Sequence, residues 1–240
     1  MAQVQVSGDY SFNMAVIDYS VLFSGAPIVE TKKMYVLAFG DGTVDFRGTG
    51  FKYTKDGEPK SGDVEGYAIA DSFGDRVLSF GGFDVSVKSF VNAASTISTT
   101  DDRKLLASML SGNDTIKGAD LADGLMGYGG KDSLYGAAGG DTLMGGAGND
   151  KYVYLATTDS TLDAIDTIMG FAHGDKIVLS AIVDFEFIGQ TAYTGSGPEL
   201  AWTILDGDTY VIADADGDMD TDLAIKIDGE ITLSEADFLL

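Results

Sequence analysis

The chain has 240 residues, is 45% hydrophobic, and carries 38 acidic against 15 basic residues for a formal charge of −23, with no cysteine. Its apolar content suffices for a real core, the missing cysteines exclude disulfides and thiol catalysis, and the charge excludes binding nucleic acid or an anionic membrane through a basic patch. Such a polyanion attracts divalent cations instead.

The chain holds no apolar run of the ~18 residues that would make a membrane helix. The opening MAQVQVSGDYSFNMAVIDYS has neither a basic stretch nor a continuous apolar one, and does not read as a Sec signal peptide. Residues 1–98 read as a β domain. FKYT and DVEGYAI alternate in polarity and flank KDGEPKSG, a hairpin turn signal, with further turns expected at FGDGT (39–43) and SFGG (79–82). Residues 99–110 form a linker with one amphipathic helix over DDRKLLASML (101–110). Asp101 and Asp102 favour its first turn, Leu105, Leu106 and Met109 share a face, and Gly112 ends it. This helix is expected to cap the open end of the segment that follows.

That segment, 111–153, is periodic. Asp114, Asp123, Asp132, Asp141 and Asp150 fall nine residues apart, and two residues after each stands an apolar side chain: Ile116, Leu125, Leu134, Leu143 and Tyr152. Gly112, Gly130, Gly139 and Gly148 precede four of the aspartates by two. The pattern is G-G-x-G-x-D-x-U-x, with U apolar. Glycines permit tight turns, the U residue points inward from a short strand, and two units make one turn of a parallel β-roll. Aspartates eighteen residues apart then stack, pairing Asp114 with Asp132, Asp123 with Asp141 and Asp132 with Asp150. Oxygen-only ligands suit calcium. Three pairs imply about three Ca²⁺ ions, with the first two units weaker because glycines are missing there.

Residues 154–240 contain DAIDTIMGFAHGDKIVLSAI, TYVIADADGDMDTDLAIKIDG and a final LSEADFLL. Asp214, Asp216, Asp218, Asp220 and Asp222 do not form an EF-hand, because Met219 and Ile225 stand where glycine and glutamate are required. The run reads as a hairpin turn entering the strand Leu223–Ile227, with a calcium loop left open.

The repeats and these C-terminal segments resemble the RTX (repeats-in-toxin) hemolysin-type calcium-binding proteins, with a C-terminal domain similar to that of serralysin-type secreted metalloproteases. The resemblance implies an all-β fold: an N-terminal β domain, the β-roll, and a β-sandwich-like extension. It also implies metal-binding carbonyls at the first and third positions of each unit: Met109 and Ser111, Gly118 and Asp120, Gly127 and Gly129, Gly136 and Ala138, Gly145 and Ala147. The ending Asp237–Leu240, an acid followed by apolar residues, resembles the signal read by type I exporters, which implies export machinery as a partner and a secreted, extracellular protein. The stretch FRGTGFKYTKDGEPKSGDVEGYAI resembles modules found upstream of RTX repeats in other small secreted bacterial proteins, and no chemistry follows from that.

The serralysin signature H-E-x-x-H is absent, His173 is the sole histidine, and no G-x-S-x-G occurs. Two functional classes follow. One is a non-catalytic extracellular protein whose N-terminal domain binds a glycan, a cell-surface ligand or a subunit. The alternative is an enzyme acting on extracellular polysaccharide through a carboxylate pair.

Overall fold

Alternating apolar and polar residues build an antiparallel sheet in the N-terminal part. The strands are β1 (Gln3–Val6), β2 (Ala26–Glu30), β3 (Met34–Phe39), β4 (Gly42–Tyr53), β5 (Pro59–Ala70) and β6 (Arg76–Ser86), in the order β1-β6-β5-β4-β3-β2. Helix α1 (Val87–Ala94) starts at Ser86, whose hydroxyl accepts the Ser89 amide at 3.2 Å, and α2 spans Thr99–Met109. In α1 the residues Val87, Phe90 and Ala93, three apart, are buried on one face. Phe90 packs edge-on against Phe46 and Tyr67, and Tyr67 stacks on Phe80 with ring centroids 4.9 Å apart. In α2, Leu105, Leu106 and Met109 are buried, as the sequence predicts.

This computed structural model describes residues 1–7, 10–14, 19, 26–39, 42–71, 73, 76–95 and 99–240. The tip of the expected FGDGT turn and the expected boundary at 98 lie outside these residues. The KDGEPKSG turn joins β4 to β5, with Thr54 N donating to Glu58 O at 2.8 Å. SFGG is not a turn. It lies inside β6, where Gly82 takes φ 80° at a register shift against β5. A Cβ on Gly82 would strike the carbonyl of Met1, so glycine there serves a bulge rather than a chain reversal.

The chain divides into two units: Met1–Gly8 with Asn13–Thr115, and Asp9–Phe12 with Ile116–Leu240. The second is a roll of three-residue strands. These are β7 (Thr115–Lys117), β8 (Gly124–Met126), β9 (Ser133–Tyr135), β10 (Thr142–Met144), β11 (Lys151–Val153), β12 (Asp166–Ile168) and β13 (Lys176–Val178). Longer strands follow: β14 (Glu186–Gly189), β15 (Glu199–Leu205), β16 (Asp208–Asp214), β17 (Leu223–Ile227) and the short β18 (Phe238–Leu239). One face runs β18-β13-β11-β9-β7 and the other β14-β15-β16-β17-β12-β10-β8.

Pairing within the roll is parallel, with Leu125 beside Leu143, Leu134 beside Tyr152, Leu143 beside Ile168 and Tyr152 beside Ile177. Every one of these side chains is fully buried. The core between the faces is therefore two ladders, one inward residue per strand, as the period of nine demands. The C-terminal strands prolong the same faces. β17 pairs parallel with β12 and antiparallel with β16, and β18 pairs parallel with β13.

Candidate metal centre

Each repeat aspartate sits just before its strand, so its side chain enters the turn while the next-but-one residue enters the core. Along one edge the Asp123 amide donates to Asp141 Oδ1 at 2.8 Å, and along the other Asp132 donates to Asp150 Oδ1 at 2.9 Å. The expected eighteen-residue pairs Asp123/Asp141 and Asp132/Asp150 are thus stacked. Asp114 belongs to the first unit, where its carboxylate accepts the Ala2 amide.

The ladder continues beyond the five repeats. Asp141 donates to Asp166 Oδ1 at 2.8 Å and Asp150 to Asp175 Oδ1 at 2.9 Å. Asp166 follows Asp150 by sixteen residues instead of nine, and the nine-residue spacing resumes at Asp175. Sequence reasoning missed this pair because a seven-residue insertion breaks the period. The signal was present as D-T-I and D-K-I, an aspartate with isoleucine two places on. At the far end Ser160 replaces a carboxylate: its Oγ accepts the Asp166 amide at 2.9 Å and donates to Ala224 O.

With Oδ1 held by an amide, the second oxygens of Asp141 and Asp150 are buried without a hydrogen-bond donor. Asp123 differs, since its Oδ2 accepts the Ala119 amide at 2.8 Å. Against these oxygens stand the first-position glycines. A Cβ on Gly136 would come within 2.8 Å of Asp141 Cγ, and one on Gly145 within 2.6 Å of Asp150 Cγ. A Cβ on Gly127 would meet Gly145 O at 2.6 Å and collide with Asp132 Oδ2, and one on Gly118 would meet Asp123 Oδ2 at 2.6 Å and collide with Gly136 O. The turns therefore bring together a carboxylate oxygen of one unit and a carbonyl two units on, with side-chain volume excluded. All the converging atoms are oxygens, a donor set that fits a hard divalent cation.

The remaining expected carbonyls are less uniform. Gly127 O accepts the Gly129 amide and Ala147 O the Gly130 amide, each leaving one lone pair. Gly129 and Ala147 bridge in parallel, Ala138 is half-buried, and Asp120 is exposed. Met109 ends α2 and the Ser111 hydroxyl donates to Ser108 O, so these two stand at a helix end rather than in a glycine turn.

Electrostatics agree with the donor set. Burial pushes the Asp141 carboxyl up to about 7 and Asp166 up to about 8, with neighbouring carboxylates adding to the rise. Asp150 and Asp123 are raised in the same direction by burial. A cation between the turns would reverse that cost, because it favours the charged form.

The acidic run at 214–222 is a hairpin turn between β16 and β17. Asp214, Asp216 and Asp218 place carboxylate oxygens within 4.8 Å of one another. Both Asp214 oxygens already accept loop amides, from Gly217 at 2.7 Å and Met219 at 2.8 Å. His173 is exposed, with Nδ1 3.5 Å from Asp237 Oδ1. Among the described residues no helix is long and apolar enough to cross a membrane.

Comparison with curated proteins gives no match. Among solved structures, the chain is similar to the AlgE6R3 subunit of the Azotobacter vinelandii mannuronan C5-epimerase. The identity is 29%, over 53% of this chain and 73% of that one, with a TM-score of 0.43. It is also similar to the AlgE6R2 subunit of the same epimerase, at 27% identity over 54% of this chain and 88% of that one, with a TM-score of 0.27. Residues 67–240 match the family described as Peptidase M10 serralysin C terminal. With most of its length inside that match, and with nonapeptide turns that stack buried aspartates, the chain belongs to the serralysin C-terminal family and carries an RTX-type calcium-binding domain.

Proposed function

We propose that this is an exported, extracellular protein whose β-roll folds on binding calcium and presents a non-catalytic N-terminal β domain to a glycan or cell-surface ligand. The observation that carries the calcium reading is the pair of buried, donor-less Oδ2 atoms on Asp141 and Asp150, each packed against a glycine where a side chain would clash. The proposed ligands are the carboxylates of Asp123, Asp132, Asp141 and Asp150, joined by Asp166 and Asp175, with Gly136 O and Gly145 O. About three ions are expected between the repeat turns, from the three eighteen-residue aspartate pairs. Calcium supplies a divalent charge that the carboxylates can share. The chain's own residues exclude side-chain volume, orient Oδ1 of Asp123, Asp141, Asp150, Asp166 and Asp175 through an amide, and keep the second oxygens of Asp141, Asp150 and Asp166 buried.

Export fits the same chemistry. Ligands that converge only in the folded roll make binding free energy into folding free energy. Extracellular calcium modules bind at ~10⁻⁴ to 10⁻³ M, so the roll would stay unfolded in a low-calcium cytosol and fold outside. The segment Asp237–Leu240 is the proposed recognition element for a type I exporter. Isothermal titration calorimetry of the chelated protein tests the metal reading. A stoichiometry near three, lost progressively in Asp132→Ala and Asp141→Ala variants, supports it, and the absence of heat at millimolar calcium would overturn it.

A further inference from the structure

Successive turns of the roll are joined by a fixed pair of bonds. The amide of one aspartate donates to Oδ1 of the aspartate a turn later, and its carbonyl accepts the amide that follows that second aspartate. Asp123 makes this pair to Asp141 and to Thr142 N, at 2.8 Å each, and Asp132 makes it to Asp150 and Lys151 N at 2.9 and 2.8 Å.

The same pair recurs where no repeat precedes. The Phe12 amide donates to Asp123 Oδ1, and the Phe12 carbonyl accepts the Gly124 amide at 2.6 Å. The Ser11 hydroxyl adds a bond to Ala122 O. Within the first unit, the Ala2 amide donates to Asp114 Oδ1 and the Ala2 carbonyl accepts the Thr115 amide at 3.1 Å. Each within its own unit, Ala2 and Phe12 thus make the main-chain bonds that an earlier aspartate would make. Neither lies in a nonapeptide.

We propose that residues 10–12 serve as the roll's first rung, a cap built from the chain itself that orients Asp123 for the first turn. Solenoid ends need a cap, since an open strand edge leaves amides and carbonyls unpaired. Here the cap also provides a donor to a buried carboxylate, a bond that makes ordering of residues 10–12 part of ordering the roll. Its readout rests on the calcium reading above.

The test compares full-length protein with Phe12→Ala, which keeps the main-chain amide, and Phe12→Pro, which removes it. Calcium-dependent folding is followed by circular dichroism, and exchange of amides 10–14 by mass spectrometry. Losing a hydrogen bond to a charged group raises the calcium midpoint of Phe12→Pro about tenfold or more, while Phe12→Ala stays within about threefold of wild type. In wild type, protection of 10–14 is expected at the same calcium concentration as protection of the roll. Equal midpoints for the two variants would overturn the cap. So would free exchange of 10–14 in calcium-saturated wild type, a measurement that decides the matter even if Phe12→Pro does not fold. A wild type indifferent to calcium would overturn the calcium reading instead, and protection at 10–14 would then still decide the cap.

Discussion

The amide of Asp132 donates to Oδ1 of Asp150 at 2.9 Å, and Oδ2 of the same carboxylate is buried with no donor. One oxygen thus joins two turns of the chain while the other is the proposed cation ligand. This division of labour sets opposite signs for the two states of the protein.

Asp150→Asn preserves an acceptor at Oδ1 and removes the buried charge that burial disfavours. In excess chelator, where the wild-type roll is unfolded, the variant is expected to show as much β signal as wild type or more. In saturating calcium it is expected to melt lower, with a calcium midpoint raised about tenfold, or ~1.4 kcal/mol. Circular dichroism in chelator and thermal melts in calcium check the sign reversal.

The turn glycines separate into two kinds. At Gly127 a Cβ would meet Gly145 O at 2.6 Å, whereas at Gly129 the nearest atom outside its chain neighbours is Ala147 O at 3.8 Å. Neither glycine is among the positive-φ residues, so space alone distinguishes them. Gly127→Ala is expected to destabilise the calcium-bound roll by about 2 kcal/mol or more, and Gly129→Ala by about 0.5 kcal/mol or less. Denaturant unfolding in calcium checks the difference.

The period of nine was legible because each position has a steric or electrostatic cause: an aspartate for the turn, an apolar residue for the ladder. Asp166 and Asp175 were not, because the inserted segment before Asp166 shifts the register although the local D-x-I pattern persists. Ser160 was hidden because a hydroxyl can accept the same amide as a carboxylate without resembling one in sequence. The bonds from Phe12 to Asp123 span 111 residues and use only main-chain groups on the Phe12 side, so no side-chain pattern announced them. SFGG misled because a glycine pair marks a bulge as readily as a turn.

Acid should stabilise the calcium-free roll and weaken calcium binding. Burial lifts Asp141 from 3.8 to about 7 and Asp166 to about 8. A carboxyl raised on folding favours the fold below its unfolded value, and that contribution is lost as pH rises through the folded value. Without calcium, stability should therefore fall between pH 4 and 8, the window those values define. Binding near pH 7 should release protons, and affinity should drop on going from pH 8 to 6. Calorimetry in buffers of different ionisation enthalpy measures the release.

The C-terminal segment is folded into the molecule. Phe238 is buried, 5.4 Å from Phe187 between ring centroids, and Asp237 Oδ2 accepts the Ser234 amide at 2.8 Å. An exporter would therefore read it only in the unfolded chain. Deleting Glu235–Leu240 is expected to abolish secretion with synthesis intact. Phe238→Ala is expected to lower folded stability by ~3 kcal/mol. Assays of medium and cell fractions, with a lysis marker, check the first, and denaturant unfolding checks the second.

The most direct measurement is amide exchange over residues 114–178 during a calcium titration of chelated protein. Coupled binding and folding predicts that strands β8 to β13 exchange freely in chelator and gain protection together as calcium rises, with a midpoint of ~10⁻⁴ to 10⁻³ M. Full protection of these strands in chelator, unchanged by calcium, would contradict it.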